Sequence, residues 1–207
     1  MATIQGPDLQ KVQRIRKAVL LAGLVGAVSL AFVTQSFGGE TLVHEGLEDL
    51  GMGLIALCIV GRAWCSLYIG GRKKAEIVDR GPYSISRNPL YFFSFLGAFG
   101  MGAMSGSFLL ASLFLVIAVL VFRSTVKQEE AWLENEFGAP FRAYLQRTPR
   151  FWPDFSKWSD RETLEIRPAF FLLTLRDGLV MLLVFPLFEW IEELQAAGWL
   201  TTVLQLP

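Results

Sequence analysis

Apolar runs broken by short charged segments organise the chain. Residues 18–37 form a first run of about twenty residues, the length that crosses a hydrocarbon core as a helix. Residues 46–69 form a second, with Glu45, Glu48 and Asp49 around its start and Arg72, Lys73 and Lys74 after it. Residues 89–104 form a third, shorter run, and residues 107–122 a fourth. Only Ser105 and Gly106 separate these two, so they are expected to pair as an antiparallel hairpin. Residues 170–190 form a last run interrupted by Arg176, Asp177 and Pro186, which predicts a kinked span or a partly interfacial helix. The pattern predicts an all-α integral membrane bundle of about five transmembrane helices.

Composition agrees: 53% of residues are hydrophobic, only 18% are charged, and mean hydropathy is +0.43. The formal net charge is zero, which argues against a nucleic-acid partner. The distribution of charge says more than its total. Basic residues gather at Lys11, Arg14, Arg16 and Lys17, over residues 72–80 and over residues 123–150, whereas acidic clusters lie at residues 40–49 and 189–193. An N-terminus in the cytoplasm puts each basic cluster inside and each acidic one outside. The first run is long and lacks a small-residue cleavage site, so it reads as a retained span. Residues 70–88 and 123–160 are then cytoplasmic, and a pocket for a soluble cofactor would be built there, from the C-terminal half. Three regions result: membrane helices over 1–70, a core over 71–153, and an extension over 154–207 with a further membrane helix.

Cys58 and Cys65 share a face of the second run without a nearby metal-ligating partner and read as buried structural thiols. His44 is the only histidine, too few for a zinc or di-iron site; it reads as a loop residue, and no metal is expected.

Three segments carry candidate chemistry. Asn88-Pro89 is a helix start, because Asn is a good N-cap and Pro is favoured at the first helical position. The free N–H groups there, with Arg87 beside them, either favour an anion such as a carboxylate or serve only as a cap with a snorkelling arginine. Further on, Glu129 and Glu130 flank the apolar seam of Val126, Leu133 and Phe137 at about 100° per residue. Such a pair can bind a cation, accept from sugar hydroxyls or take a proton; alternatively it is a solvated acidic face. Finally, residues 141–153 interleave basic and aromatic side chains on a short amphipathic helix that ends before Pro149, a pattern that also suits an interfacial anchor.

The order of these segments resembles a known family. Gly81-x-Tyr83-x-x-x-Arg87-x-Pro89-x-Tyr91 opens a short span; a tight hairpin follows, then Glu129-Glu130-x-x-Leu133-x-x-x-Phe137-Gly138, then Tyr144-x-x-Arg147-x-Pro149. Over residues 51–153 this is similar to the isoprenylcysteine carboxyl methyltransferase and phospholipid methyltransferase superfamily. The resemblance implies an S-adenosylmethionine-dependent methyltransferase that takes a lipid or lipophilic acceptor (carboxylate, amine or thiol) from the bilayer. It places Gly81, Tyr83, Arg87, Asn88, Pro89, Tyr91, Glu129 and Glu130 at the cofactor, and Tyr144 and Arg147 at the substrate. Arg147 and Glu130 would be catalytic, Arg147 orienting an anionic acceptor or Glu130 a cationic one. The family usually has His where this chain has Asn88, which hydrogen-bonds but does not titrate, so a proton-transfer role is not expected there. Compact size and short linkers point to a prokaryotic inner membrane and to a lipid amine or small lipophilic acceptor. The rival readings are a membrane reductase of the sterol-reductase type and a non-catalytic lipid-binding membrane protein.

Overall fold

The computed structural model describes Val25, Ser29, Phe32 and residues 34–36, 42–72, 75–200 and 204–206. The expected first span, residues 18–37, lies almost wholly outside them. Helix α1 (Leu42–Ile69) is followed by a short α2 (Pro82–Ile85), then α3 (Pro89–Ala103), α4 (Phe108–Phe137) and α5 (Ala139–Arg147). Helix α6 (Pro168–Leu179) and helix α7 (Val184–Ala196) close the series, joined by a 3₁₀ turn over Val180–Leu183. Three helical stretches are long and apolar enough to cross a membrane: Leu42–Ile69, Phe108–Phe137 and Pro168–Ala196. The helical expectation holds, with one addition: strand β1 (Thr34–Ser36) pairs in parallel with strand β2 (Leu204–Leu206).

Helix α1 is the centre of the bundle, and glycine lets α3 lie against it. A Cβ on Gly100 would sit 2.7 Å from the Gly51 carbonyl oxygen, and one on Gly51 would sit 2.8 Å from that of Gly100. One helical turn from Gly100, a Cβ on Gly97 would meet Cys58 Sγ at 2.5 Å, and one on Gly102 would meet the Ala111 backbone at the α3–α4 hairpin. The glycines of α3 are therefore used for close helix contact within the chain. Ser107 caps α4, its hydroxyl accepting from the Leu110 N–H at 3.4 Å.

Helices α6 and α7 run antiparallel to α1 along its length. At one end Arg72 Nη2 donates to the Glu165 carbonyl at 2.5 Å; at the other His44 Nε2 lies 3.6 Å from Glu192 Oε1. Between them, Ile59 faces Gly178, and Ile55, Ile59, Val184, Phe188 and Ile191 share a core with Met104 and Leu110. This segment is a helical stretch of spanning length, interrupted by the 3₁₀ turn over Val180–Leu183. Pro186 stands just behind the interruption: it has no N–H to donate to Leu182 and its ring crowds that carbonyl. His44 corrects another expectation. It belongs to the first turns of α1 and not to a loop, because α1 begins at Leu42, within the polar stretch that reads as a connection.

Candidate functional site

The segments on either side of the α3–α4 hairpin fold onto each other at the basic end of the bundle. Gly81 takes φ +56°, and a Cβ there would overlap the Tyr68 ring, so glycine alone suits the turn into α2. Four backbone or side-chain bonds then clasp residues 81–87 to residues 144–159. The Gly81 N–H donates to the Ser159 carbonyl at 2.8 Å, the Arg87 N–H to Pro149 at 2.8 Å, and the Asp154 N–H to Ile85 at 2.9 Å. The Tyr144 hydroxyl donates to the Tyr83 carbonyl at 2.8 Å.

Glu130 is the centre of the charged site. Its side chain is 10% exposed, and three groups from two segments converge on it. Arg150 Nη2 donates to Oε2 at 2.6 Å, Asn88 Nδ2 to Oε1 at 3.2 Å, and Arg87 Nη1 lies 3.5 Å from Oε1. Asn88 occupies the N-cap position of α3 with Pro89 after it, as the sequence indicates, but its side chain makes no cap bond. Its amide serves Glu130 and the Arg150 carbonyl (3.2 Å) instead. One turn along α3, the Tyr91 hydroxyl donates to Glu129 Oε2 at 3.1 Å. Both glutamates thus point towards the interior, as the apolar seam of α4 predicts.

A cavity of about 670 Å³ opens beneath these groups. Its polar end is lined by Tyr83, Arg87, Asn88, Tyr91, Glu129 and Glu130, and its other end by Ala98, Met101, Phe114, Ile117, Ala118 and Met181. Two buried polar atoms at the polar end have no hydrogen-bond partner among the described residues, the Tyr83 hydroxyl and Arg87 Nε. Orphaned buried donors are rare because each forfeits its hydration without return, so a ligand that accepts from them is the natural complement. Burial pushes the Tyr83 phenol well above its ordinary range, which keeps the hydroxyl a donor. Burial also lowers the Arg87 guanidinium; Glu130 opposes this and Arg150 adds to it.

Of the residues singled out by sequence, the fold brings Tyr83, Arg87, Asn88, Tyr91, Glu129, Glu130 and Tyr144 to one cavity wall. Gly81 and Pro89 shape the backbone behind that wall and do not line it. Arg147 also lies off the wall: its guanidinium pairs with Asp79 and sits 5.6 Å from the Tyr144 ring centroid. Two arginines placed at the site escape the motif reading. Arg150, just past the Tyr-x-x-Arg-x-Pro segment, is the closest cation to Glu130, and Arg62 of α1 lines the cavity inside an apolar run. The signal for Arg62 is its isolation, since a charged residue within a membrane span has a functional reason by default.

At the acidic end, His44 Nε2 lies 3.0 Å from Glu48 Oε1 and 3.6 Å from Glu192 Oε1, and these three ligand atoms lie within 4.8 Å of one another.

Comparison with known proteins agrees with this architecture. A family model described as phospholipid methyltransferase matches residues 51–140. The chain is 34% identical to the nickel-cobalt-cadmium resistance protein NccN of Alcaligenes xylosoxydans xylosoxydans, over 89% of this chain and 86% of that protein. It is also 34% identical to the cobalt-zinc-cadmium resistance protein CzcN of Cupriavidus metallidurans, over 86% of this chain and 82% of that one. No solved structure matches. Motif order, helical membrane architecture and the family match over the hairpin agree: the chain belongs to the phospholipid methyltransferase family, within the superfamily that also holds the isoprenylcysteine carboxyl methyltransferases.

Proposed function

We propose that the protein is an S-adenosylmethionine-dependent methyltransferase acting on a lipophilic acceptor that enters from the bilayer. The observation that carries this reading is the single cavity with a charged, hydrogen-bonding end and an apolar end. The polar end suits the cofactor. Arg87 Nε and the Tyr83 hydroxyl are unmatched donors for a carboxylate or a ribose oxygen, and the Glu129 carboxylate is an acceptor for hydroxyls or an ammonium.

When bound, S-adenosylmethionine supplies a methyl group already activated on a sulfonium. The work left to the chain is alignment and exclusion of water. Arg87, Tyr83 and Glu129 fix one partner at the polar end, and the apolar wall fixes the other. Asn88 and Arg150 hold the Glu130 carboxylate in place, and Asn88 takes no proton. Tyr144 ties α5 to α2. Arg147 acts as a positioning residue: through Asp79 it holds the segment whose Glu76, Ile77 and Val78 line the cavity. Its pair is exposed and worth about 1 kcal/mol or less. Arg147→Ala is therefore expected to leave the melting temperature nearly unchanged while weakening cofactor affinity several-fold, read by calorimetry; loss of turnover with unchanged affinity would assign Arg147 to the reacting centre instead.

The direct test is calorimetric titration of S-adenosylmethionine, with NADPH as control, into detergent-purified protein. Saturable binding of the first alone is expected. Tyr83→Phe, which removes one donor and keeps the ring, is expected to weaken it roughly 5- to 100-fold, the range for a lost hydrogen bond to a buried or charged partner. Binding of NADPH alone would favour the reductase reading, and binding of neither a non-catalytic membrane protein.

The names of the two relatives favour a second property, contact with a divalent transition metal. The His44, Glu48 and Glu192 cluster offers one nitrogen and two oxygen ligands at the end remote from the cavity. Titration of zinc and cobalt into the wild type and His44→Ala tests it; equal heats in the two would remove that site from consideration.

A further inference from the structure

Arg62 is a cation in the cavity that the methyl-transfer reading leaves without a task. It lies in α1, seven residues before the end of the helix at Ile69, or about 10 Å into the span at 1.5 Å per residue. Its guanidinium donates through Nη1 to Ser94 Oγ, and the Ser94 hydroxyl donates in turn to the Leu90 carbonyl at 2.8 Å. Among the described residues no carboxylate is paired with it. A guanidinium has five donors, and a single hydroxyl satisfies few of them. In a membrane interior such a charge is expensive unless something anionic or wet meets it.

Its position along the cavity gives it a task. Ser94 follows Asn88 and Tyr91 of the polar end and precedes Ala98 and Met101 of the apolar end, and all five line the cavity. Arg62 and Ser94 therefore stand at the boundary between the two ends.

We propose that Arg62, held in place by Ser94, forms a subsite for the negatively charged group of an anionic amphiphile, whose hydrocarbon tail lies along the apolar end. This deepens the methyltransferase reading by giving the acceptor a charge. An oxyanion, carboxylate or phosphate, takes two donors of the guanidinium side by side. An ammonium at the same depth meets a like charge, so Arg62 selects against cationic headgroups that lack an anionic neighbour.

The test compares headgroups on one tail. Radiolabelled dodecanoate and dodecyl phosphate are bound to purified protein in a neutral detergent, with dodecylammonium and dodecanol as competitors. Saturable binding of at least one of the two anions is expected, with the amine and the alcohol competing at least about 10-fold more weakly; which anion binds better separates the carboxylate source from the phosphate source. Arg62→Gln is expected to lose about 10-fold or more in anion affinity and Arg62→Lys, which keeps the charge without the paired donors, to lose less, while S-adenosylmethionine still binds both variants. Equal competition by the amine overturns the subsite without recourse to any variant, so a failure of Arg62→Gln to fold does not shield it. Full anion binding by a folded Arg62→Gln variant overturns it as well. Arg62-dependent anion binding in a protein that does not bind S-adenosylmethionine would preserve the subsite and sink the methyltransferase reading.

Discussion

Glu130→Ala is expected to cost about 3 kcal/mol of stability or more and to abolish cofactor binding together with it, because the carboxylate is the shared partner of Arg87, Asn88 and Arg150. Arg150 is 43% exposed and recovers water when released, but the Arg87 side chain is 13% exposed and does not. The loss is dominated by that uncompensated charge, since breaking a buried pair costs more than the pair contributes. Glu130→Gln keeps the shape and one acceptor oxygen, so it should retain the bond from Asn88 and fall between the two. Thermal unfolding of the detergent-solubilised variants ranks them. A Glu130→Ala protein that melts with the wild type would mean that the charges around Glu130 are solvated and that the site is more open than its geometry implies.

Gly100→Leu is the second large effect, and it acts far from the charges. Its side chain must occupy the space where the Gly51 carbonyl lies, so α1 and α3 separate and the cavity between them loses its wall. Even Gly100→Ala puts a methyl against that oxygen and is expected to cost about 1–3 kcal/mol, the usual range for overpacking. Gly100→Leu should yield no monodisperse protein. Gly53→Leu is the control: it lies two residues from Gly51 on the same helix, but none of the described residues stands within 4 Å of its Cβ position, so it should purify as the wild type. Equal behaviour of Gly53→Leu and Gly100→Leu would contradict the packing described here.

The elements that hydropathy dictates are legible in the chain. Helix α3 begins at Pro89 and α4 follows the Ser105-Gly106 turn, because a tight polar break between two apolar runs has few other solutions. The start of α1 is less legible: Glu45 and Glu48 look like a loop by polarity, although acidic residues suit a helix N-terminus. At the site, the paired glutamates could be placed from the seam of α4 alone. Arg150 could not, since its approach to Glu130 depends on α5 turning the chain back across α2 and α3, a tertiary event that no local pattern encodes. Asn88 shows the opposite failure. Its local preference for capping through Oδ1 is real, yet Nδ2 donates to the Glu130 carboxylate and the Arg150 carbonyl, and these bonds orient the side chain in place of a cap.

Helix α4 also works as a ruler. From Phe108 to Phe122, the last apolar residue before Arg123, it rises about 21 Å at 1.5 Å per residue, against a hydrocarbon thickness of about 30 Å. Glu129 and Glu130 stand about two turns further on, past Arg123 and Lys127. A thicker bilayer would draw these charges towards hydrocarbon or tilt α4 to spare them, and either response shifts the mouth of the cavity relative to the headgroups. The acyl-chain length of the host lipid is then expected to act as a control on access to the site.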